Sequence, residues 1–191
     1  MKVGGFELAV LHPPDAEELI SEEAFEREEF LPYWAELWPS AIALGRVVGT
    51  RELGGLRVLE LGCGLGLPSV VAALRGAEVL ATDWSDEALM VAALNAERNG
   101  ARIDTARLAW ADAAPAGAPW DLIIGADLLY ERRNVDQLLA LLPRLGTDVL
   151  LADPGRPALG AFLEGAADAW TIELLPADEL PRGGVHHLRA R

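Results

Sequence analysis

A single cysteine stands among 191 residues, so no internal disulfide can form, and the expected setting is a reducing cytoplasm. No apolar run reaches the ~20 residues that a membrane helix requires, and no membrane partner is expected. The opening Met1-Lys2-Val3-Gly4-Gly5 lacks a basic segment followed by an apolar one, so no secretory leader is expected either. Basic residues are scarce, 16 Lys and Arg against 30 Asp and Glu, for a net charge of −14. Nucleic-acid affinity rests on Lys and Arg at phosphates, so this balance argues against a nucleic-acid partner. It leaves room for a basic target, including a lysine on another protein. Repeats and low-complexity linkers are also missing, and the length reads most simply as one domain with a sizeable core.

What is present is organised around Val58-Leu59-Glu60-Leu61-Gly62-Cys63-Gly64-Leu65-Gly66. An apolar run with an acid near its end gives way to three alternating glycines. Pro68 then opens an alanine-rich apolar segment that closes at Gly76. This is strand, tight turn and helix, with Pro near the first helical position and Gly past the last. Alternating glycines let the backbone pass close to a ligand where a Cβ would collide. The next strand-like run, Glu78 to Thr82, ends in Asp83, placed to accept hydrogen bonds from ribose hydroxyls. A dinucleotide fingerprint would want glycine at position 67, which is Leu67, and the acid Glu60 does not suit a pyrophosphate. Glu60 suits a cationic nucleoside such as S-adenosylmethionine, with its sulfonium and ammonium groups.

The remaining chain alternates strands and helices. Phe6 to Leu11 has a loose strand pattern, and Asp15 is placed to cap an acidic helix through about Glu29. Tyr33, Trp34 and Trp38 gather before a Pro-initiated apolar helix from Ser40 to about Val48. They seal one end of the core or, with Trp38 over a sulfonium, wall a cofactor pocket, and both can hold together. Ser85 or Asp86 caps a helix to about Asn99, ended by Gly100. A strand over about Asp104–Ala109 leads to Trp110 and Asp112, placed for an adenine ring and its amino group; Asp112 alternatively caps a turn. Trp84, directly after Asp83, is placed to pack along the cofactor. Trp120 to Ala126 reads as a buried strand ending at Asp127, beside the expected methyl group; the alternative is a helix cap. Helices over about Val135–Leu142 and Ala158–Ala167 flank a strand, Asp148–Ala152, that ends in Asp153-Pro154-Gly155-Arg156-Pro157. Trp170–Leu175 and Gly184–Arg189 close the chain as strands. The expected fold is a Rossmann-like, doubly wound α/β sheet, mostly parallel with an antiparallel C-terminal edge.

Two signals are set aside. Cys63 near a helix start is a candidate reactive thiol, but no base partner is apparent and a small loop residue is the expected reading. His186 and His187 are neighbours, which in a strand point to opposite faces, so no metal site is expected.

Taken together, these motifs resemble those of the class I, seven-β-strand methyltransferases that use S-adenosylmethionine, and within them the protein-lysine group marked by Asp-x-x-Tyr. Asp127-Leu128-Leu129-Tyr130 matches that motif. The stretches Leu31-Pro32-Tyr33-Trp34-Ala35 with Trp38-Pro39, and Asp153 to Pro157, are similar to the branch acting on the electron-transfer flavoprotein β subunit. The resemblance implies a methyltransferase domain over residues 31–191 with a flanking segment over 1–30, and a protein substrate. It implies cofactor contacts at Trp38, Glu60, Gly62, Gly64, Asp83, Trp110 and Ala126; Cys63 departs from the family's loop, and Cys63, Trp84 and Asp112 are added as cofactor neighbours from their own positions. It implies Asp127 as the acid near the acceptor, with Asp153 and Arg156 around the substrate; Tyr130 either supports that pocket or packs in the core. Arg156 either holds the substrate or pairs with Asp153 to fix its loop. Rival readings are a methyltransferase for a small, nicotinamide-like amine, and a non-catalytic binder of an adenosyl ligand. A protein substrate predicts an open, acidic rim at the strand ends.

Overall fold

The computed structural model describes residues 1–13, 33–110 and 117–191. The chain begins with a hairpin of β1 (Lys2–Val3) and β2 (Phe6–Glu7), followed by a 3-10 turn, Tyr33–Ala35, and helix α1 (Pro39–Val48). Alternation then sets in: β3 (Arg57–Leu61), α2 (Leu67–Leu74), β4 (Glu78–Asp83), α3 (Asp86–Arg98), β5 (Asp104–Arg107) and β6 (Leu122–Ala126). It continues through α4 (Arg133–Leu145), β7 (Asp148–Asp153), α5 (Leu159–Ala166), β8 (Trp170–Leu175) and β9 (Gly184–Ala190).

Seven strands form one sheet in the order β5-β4-β3-β6-β7-β9-β8. All lie parallel except β9, which runs antiparallel to both of its neighbours. The C-terminal strand is therefore antiparallel as expected, but it slots between β7 and β8 and leaves β8 at the edge. The expected strand over Phe6–Leu11 is only the two residues of β2. The acidic helix expected over 15–29 lies outside the described residues.

Both faces of the central strands are apolar, as parallel strands covered by helices must be. Val58, Leu122, Ile124 and Leu150 face α1 and α2, whereas Leu59, Ile123, Val149 and Leu151 face α4 and α5. The alternation has the period of two that strand geometry imposes. Helix starts are also specified locally. Ser85 caps α3 by accepting from the Ala88 N–H at 3.2 Å, and Pro stands in the first turns of α1 and α2. Among the described residues, no helix is long and apolar enough to cross a membrane.

The strand order reverses at β3: the chain moves outward through β4 and β5, then returns to lay β6 on the other side. In open α/β sheets the crevice at such a switch point, beyond the carboxyl ends of the strands, is where ligands bind. Glu60 is the next-to-last residue of one strand of that pair and Asp127 follows the other.

Candidate active site

A cavity of about 520 Å³ opens at this switch point. That is the size of an ordinary small-ligand site. Its floor is the glycine loop after β3. Gly62, Gly64 and Gly66 all have positive φ, +60°, +49° and +74°. At Gly62 an added Cβ would meet Leu128 Cδ2 at 2.8 Å and the Trp110 ring at 3.5 Å. The loop is thus compressed against its own protein as well as open to a ligand.

Two buried acids stand behind the loop. Glu60 is 1% exposed, and its Oε2 accepts from the Ser69 N–H at 3.0 Å and from the Ser69 hydroxyl. Burial pushes its carboxyl up to about 8 against those hydrogen bonds, because the charged form loses its hydration. Asp83 accepts from the Gly64 N–H at 3.0 Å and the Ser85 N–H at 3.1 Å, which ties the end of β4 to the loop. Burial raises its carboxyl as well. Cys63 is buried, and burial together with both of these acids pushes its thiol well above the usual range. A reactive thiolate is not what this environment makes.

Trp38 stands at the cap position of α1, its indole N–H donating to the Tyr33 carbonyl at 2.7 Å. Tyr33 lies 6.3 Å from Trp38 and 5.6 Å from Tyr130, ring centre to ring centre. Asp127 follows β6 with φ +57°, the one described non-glycine residue in the left-handed region. It caps no helix, since α4 begins only at Arg133. Its carboxylate is held side-on by Arg156, Nε to Oδ1 at 2.8 Å and Nη2 to Oδ2 at 3.1 Å. The Arg156 guanidinium also lies 5.8 Å from the centre of the Trp38 ring.

Of the anticipated residues, Trp38, Glu60, Gly62, Cys63, Gly64, Asp83, Trp84, Trp110, Ala126, Asp127, Tyr130 and Arg156 all line this cavity. Asp112 lies outside the described residues. Asp153 is a correction: it is wholly buried and absent from the cavity wall. Its Oδ1 accepts from the Gly155 and Arg156 N–H groups at 2.8 and 2.7 Å, so it shapes the loop that presents Arg156. The anticipated pairing of Asp153 with Arg156 is made through the Arg156 N–H, while the Arg156 side chain pairs with Asp127. His187 bonds Asp148 at 2.8 Å at the opposite end of the sheet, and no metal-binding cluster occurs among the described residues.

The rim also departs from expectation. Glu36 and Glu131 are joined there by Arg107 and Arg133, so the charge is mixed rather than acidic. Sequence reading passed over these arginines and over Asn134 and Gln137 of α4. Arg107 had a usable signal, as the last residue of a strand entering the crevice. The helix residues had none, because which side of α4 turns inward depends on packing against β6.

Residues 27–152 match a family model described as lysine methyltransferase. The electron transfer flavoprotein beta subunit lysine methyltransferase of Xenopus laevis is 37% identical over 132 residues, 65% of this chain and 53% of that protein. The protein N-lysine methyltransferase METTL21A of Danio rerio is 36% identical over 123 residues, 59% of this chain and 56% of that protein. The chain spans about half the length of these curated relatives. Among solved structures, a TehB-like SAM-dependent methyltransferase from Corynebacterium glutamicum superposes with a TM-score of 0.63 at 17% identity, covering 88% of this chain and 93% of that one. At that identity the likeness speaks for the fold.

Proposed function

The chain belongs to the lysine methyltransferase family, and from that premise we propose that it moves a methyl group from S-adenosylmethionine to a lysine nitrogen of another protein. The observation that carries this reading is the convergence of Glu60 and Asp127 on one cavity at the switch point. Glu60 is a buried acid with no ion pair among the described residues, so a cationic ligand suits it better than an anionic one. Glu60, Gly62, Gly64 and Trp38 would hold the methionine end. Asp83 would take the ribose hydroxyls and Trp110 the adenine ring, with Cys63, Trp84, Asp112 and Ala126 around them. When bound, S-adenosylmethionine supplies an electrophilic methyl on a sulfonium.

The protein's share is positioning. Nucleophile, methyl carbon and sulfur must be collinear, and holding them so supplies much of the acceleration. A lysine ammonium, with a pKa of about 10.4 in water, must shed a proton before its nitrogen can attack. Asp127 acts as the acceptor that orients this nitrogen, and Tyr130 lines the same cavity. A carboxylate alone would stabilise the ammonium; desolvation at the cavity floor works in the opposite direction.

The substrate we propose is the electron-transfer flavoprotein β subunit, on the strength of the Asp153–Pro157 motif and the Xenopus laevis relative named for that protein. A small amine is not favoured, since both vertebrate relatives are named for lysine methylation of proteins. A cytoplasmic setting fits the single cysteine. The test is incubation with methyl-labelled S-adenosylmethionine and the flavoprotein from the same organism. Label in its β subunit, absent with Asp127→Ala, supports the proposal. Calorimetric cofactor binding without label retains the cofactor and removes this substrate.

A further inference from the structure

Arg156 stands where an alkylammonium would be recognised. Its guanidinium engages both oxygens of Asp127 and lies 5.8 Å from the centre of the Trp38 ring. A carboxylate in a cavity that Tyr33, Trp38 and Tyr130 also line is the chemistry that binds an organic cation. Here the protein's own cation fills it. Arg156 is delivered from a loop that is independently fixed: Asp153 grips two of its N–H groups, and Gly155, at φ +93°, is packed against the Arg182 carbonyl.

Resting on the proposed lysine methylation, we propose that Arg156 is a resident stand-in for the acceptor lysine, which must displace it from Asp127 before methyl transfer. Arg156 thereby sets specificity. Only an acceptor that brings its own cation to Asp127, together with enough contact to offset the lost pair, opens the site. A neutral or weakly held side chain leaves it closed.

The chain supplies an unusual test, because Lys2 is its only lysine and lies on the N-terminal hairpin. Arg156→Lys places an ε-amine at Asp127 in the same molecule. With S-adenosylmethionine present, the deprotonated Lys nitrogen forms the N–C bond and the C–S bond breaks with its electron pair going to sulfur. A neutral thioether is left, and the amine proton passes to water. Peptide mass spectrometry should find residue 156 of the variant carrying one or more methyl groups, and should find none when Asp127→Ala is added. An Arg156→Lys protein that binds S-adenosylmethionine as the wild type does, yet stays unmodified at 156, overturns the proposal. Loss of cofactor binding by the wild type itself would instead sink the proposed function.

A second measurement needs neither turnover nor a variant. In wild-type protein the Arg156 Nε–H resonance should move on titration with n-butylammonium chloride and stay in place with equal sodium chloride. A resonance that responds to neither, or to both alike, overturns the displacement.

Discussion

Asp127 and Arg156 form a two-point pair, 2.8 and 3.1 Å, on a backbone turned to φ +57° at Asp127. Left-handed backbone costs an L residue roughly 1–2 kcal/mol, a cost that glycine does not carry. Asp127→Ala and Asp127→Gly both remove the carboxylate, so the difference between them isolates the backbone. We expect Asp127→Gly to be more stable than Asp127→Ala by about 1 kcal/mol or more in urea unfolding. Both should lose methyl transfer while binding cofactor within a few-fold of wild type. Equal stability of the two variants would show that the turn is not strained.

The glycine loop allows a similar separation. At Gly66, φ is +74° and an added Cβ would lie 2.7 Å from the Ala92 Cβ. At Gly100, φ is +67° and nothing lies within 4 Å. Gly100→Ala should therefore show the conformational cost alone, about 1–2 kcal/mol. Gly66→Ala adds the overpacking of α2 against α3, a further ~1–3 kcal/mol. Denaturant midpoints at unchanged slope test the ordering, and a Gly66→Ala protein no less stable than Gly100→Ala would refute it.

Cys63 should be inert in the folded protein. Its thiol is buried, and Glu60 and Asp83 add to the burial that disfavours a thiolate. Reaction with a disulfide reagent at pH 8 should run an order of magnitude or more slower than in the urea-unfolded chain. Rapid labelling without unfolding would mean that the loop opens far more readily than its packing implies.

The sheet and most of the cavity were legible because strand ends in this fold are also site positions. Once Glu60, Asp83 and Asp127 were placed at the ends of apolar runs, their convergence followed from the topology. Asp153 shows the limit of that logic. It too ends a strand, but β7 is one step further from the switch point, so its carboxylate turns into the loop instead of the crevice. The partner of Arg156 was not readable either, because 29 residues separate it from Asp127 and only the parallel pairing of β6 with β7 brings them together. The insertion of β9 between β7 and β8 was hidden for a related reason. Adjacent strands in sequence usually pair, and they do here, but nothing local states on which side.

Glu60 yields the sharpest pH prediction. Its carboxyl is raised from 4.5 to about 8 in the folded chain. Between those values the native state holds a proton that the unfolded state has released. Stability is therefore highest below the unfolded value and declines as pH rises toward 8, by at most about 1.4 kcal/mol per pH unit from this one group. Glu60→Gln cannot titrate, so its unfolding free energy should fall less than that of the wild type between pH 5 and pH 8. A cation beside the carboxylate reverses the preference. S-adenosylmethionine should therefore bind more tightly to the wild type as pH approaches 8, while Glu60→Gln shows a flatter profile. Urea unfolding and calorimetric titration at the two pH values check both halves. Parallel pH profiles for wild type and variant would mean that Glu60 is already ionised in the free protein, with its charge satisfied by Ser69 alone.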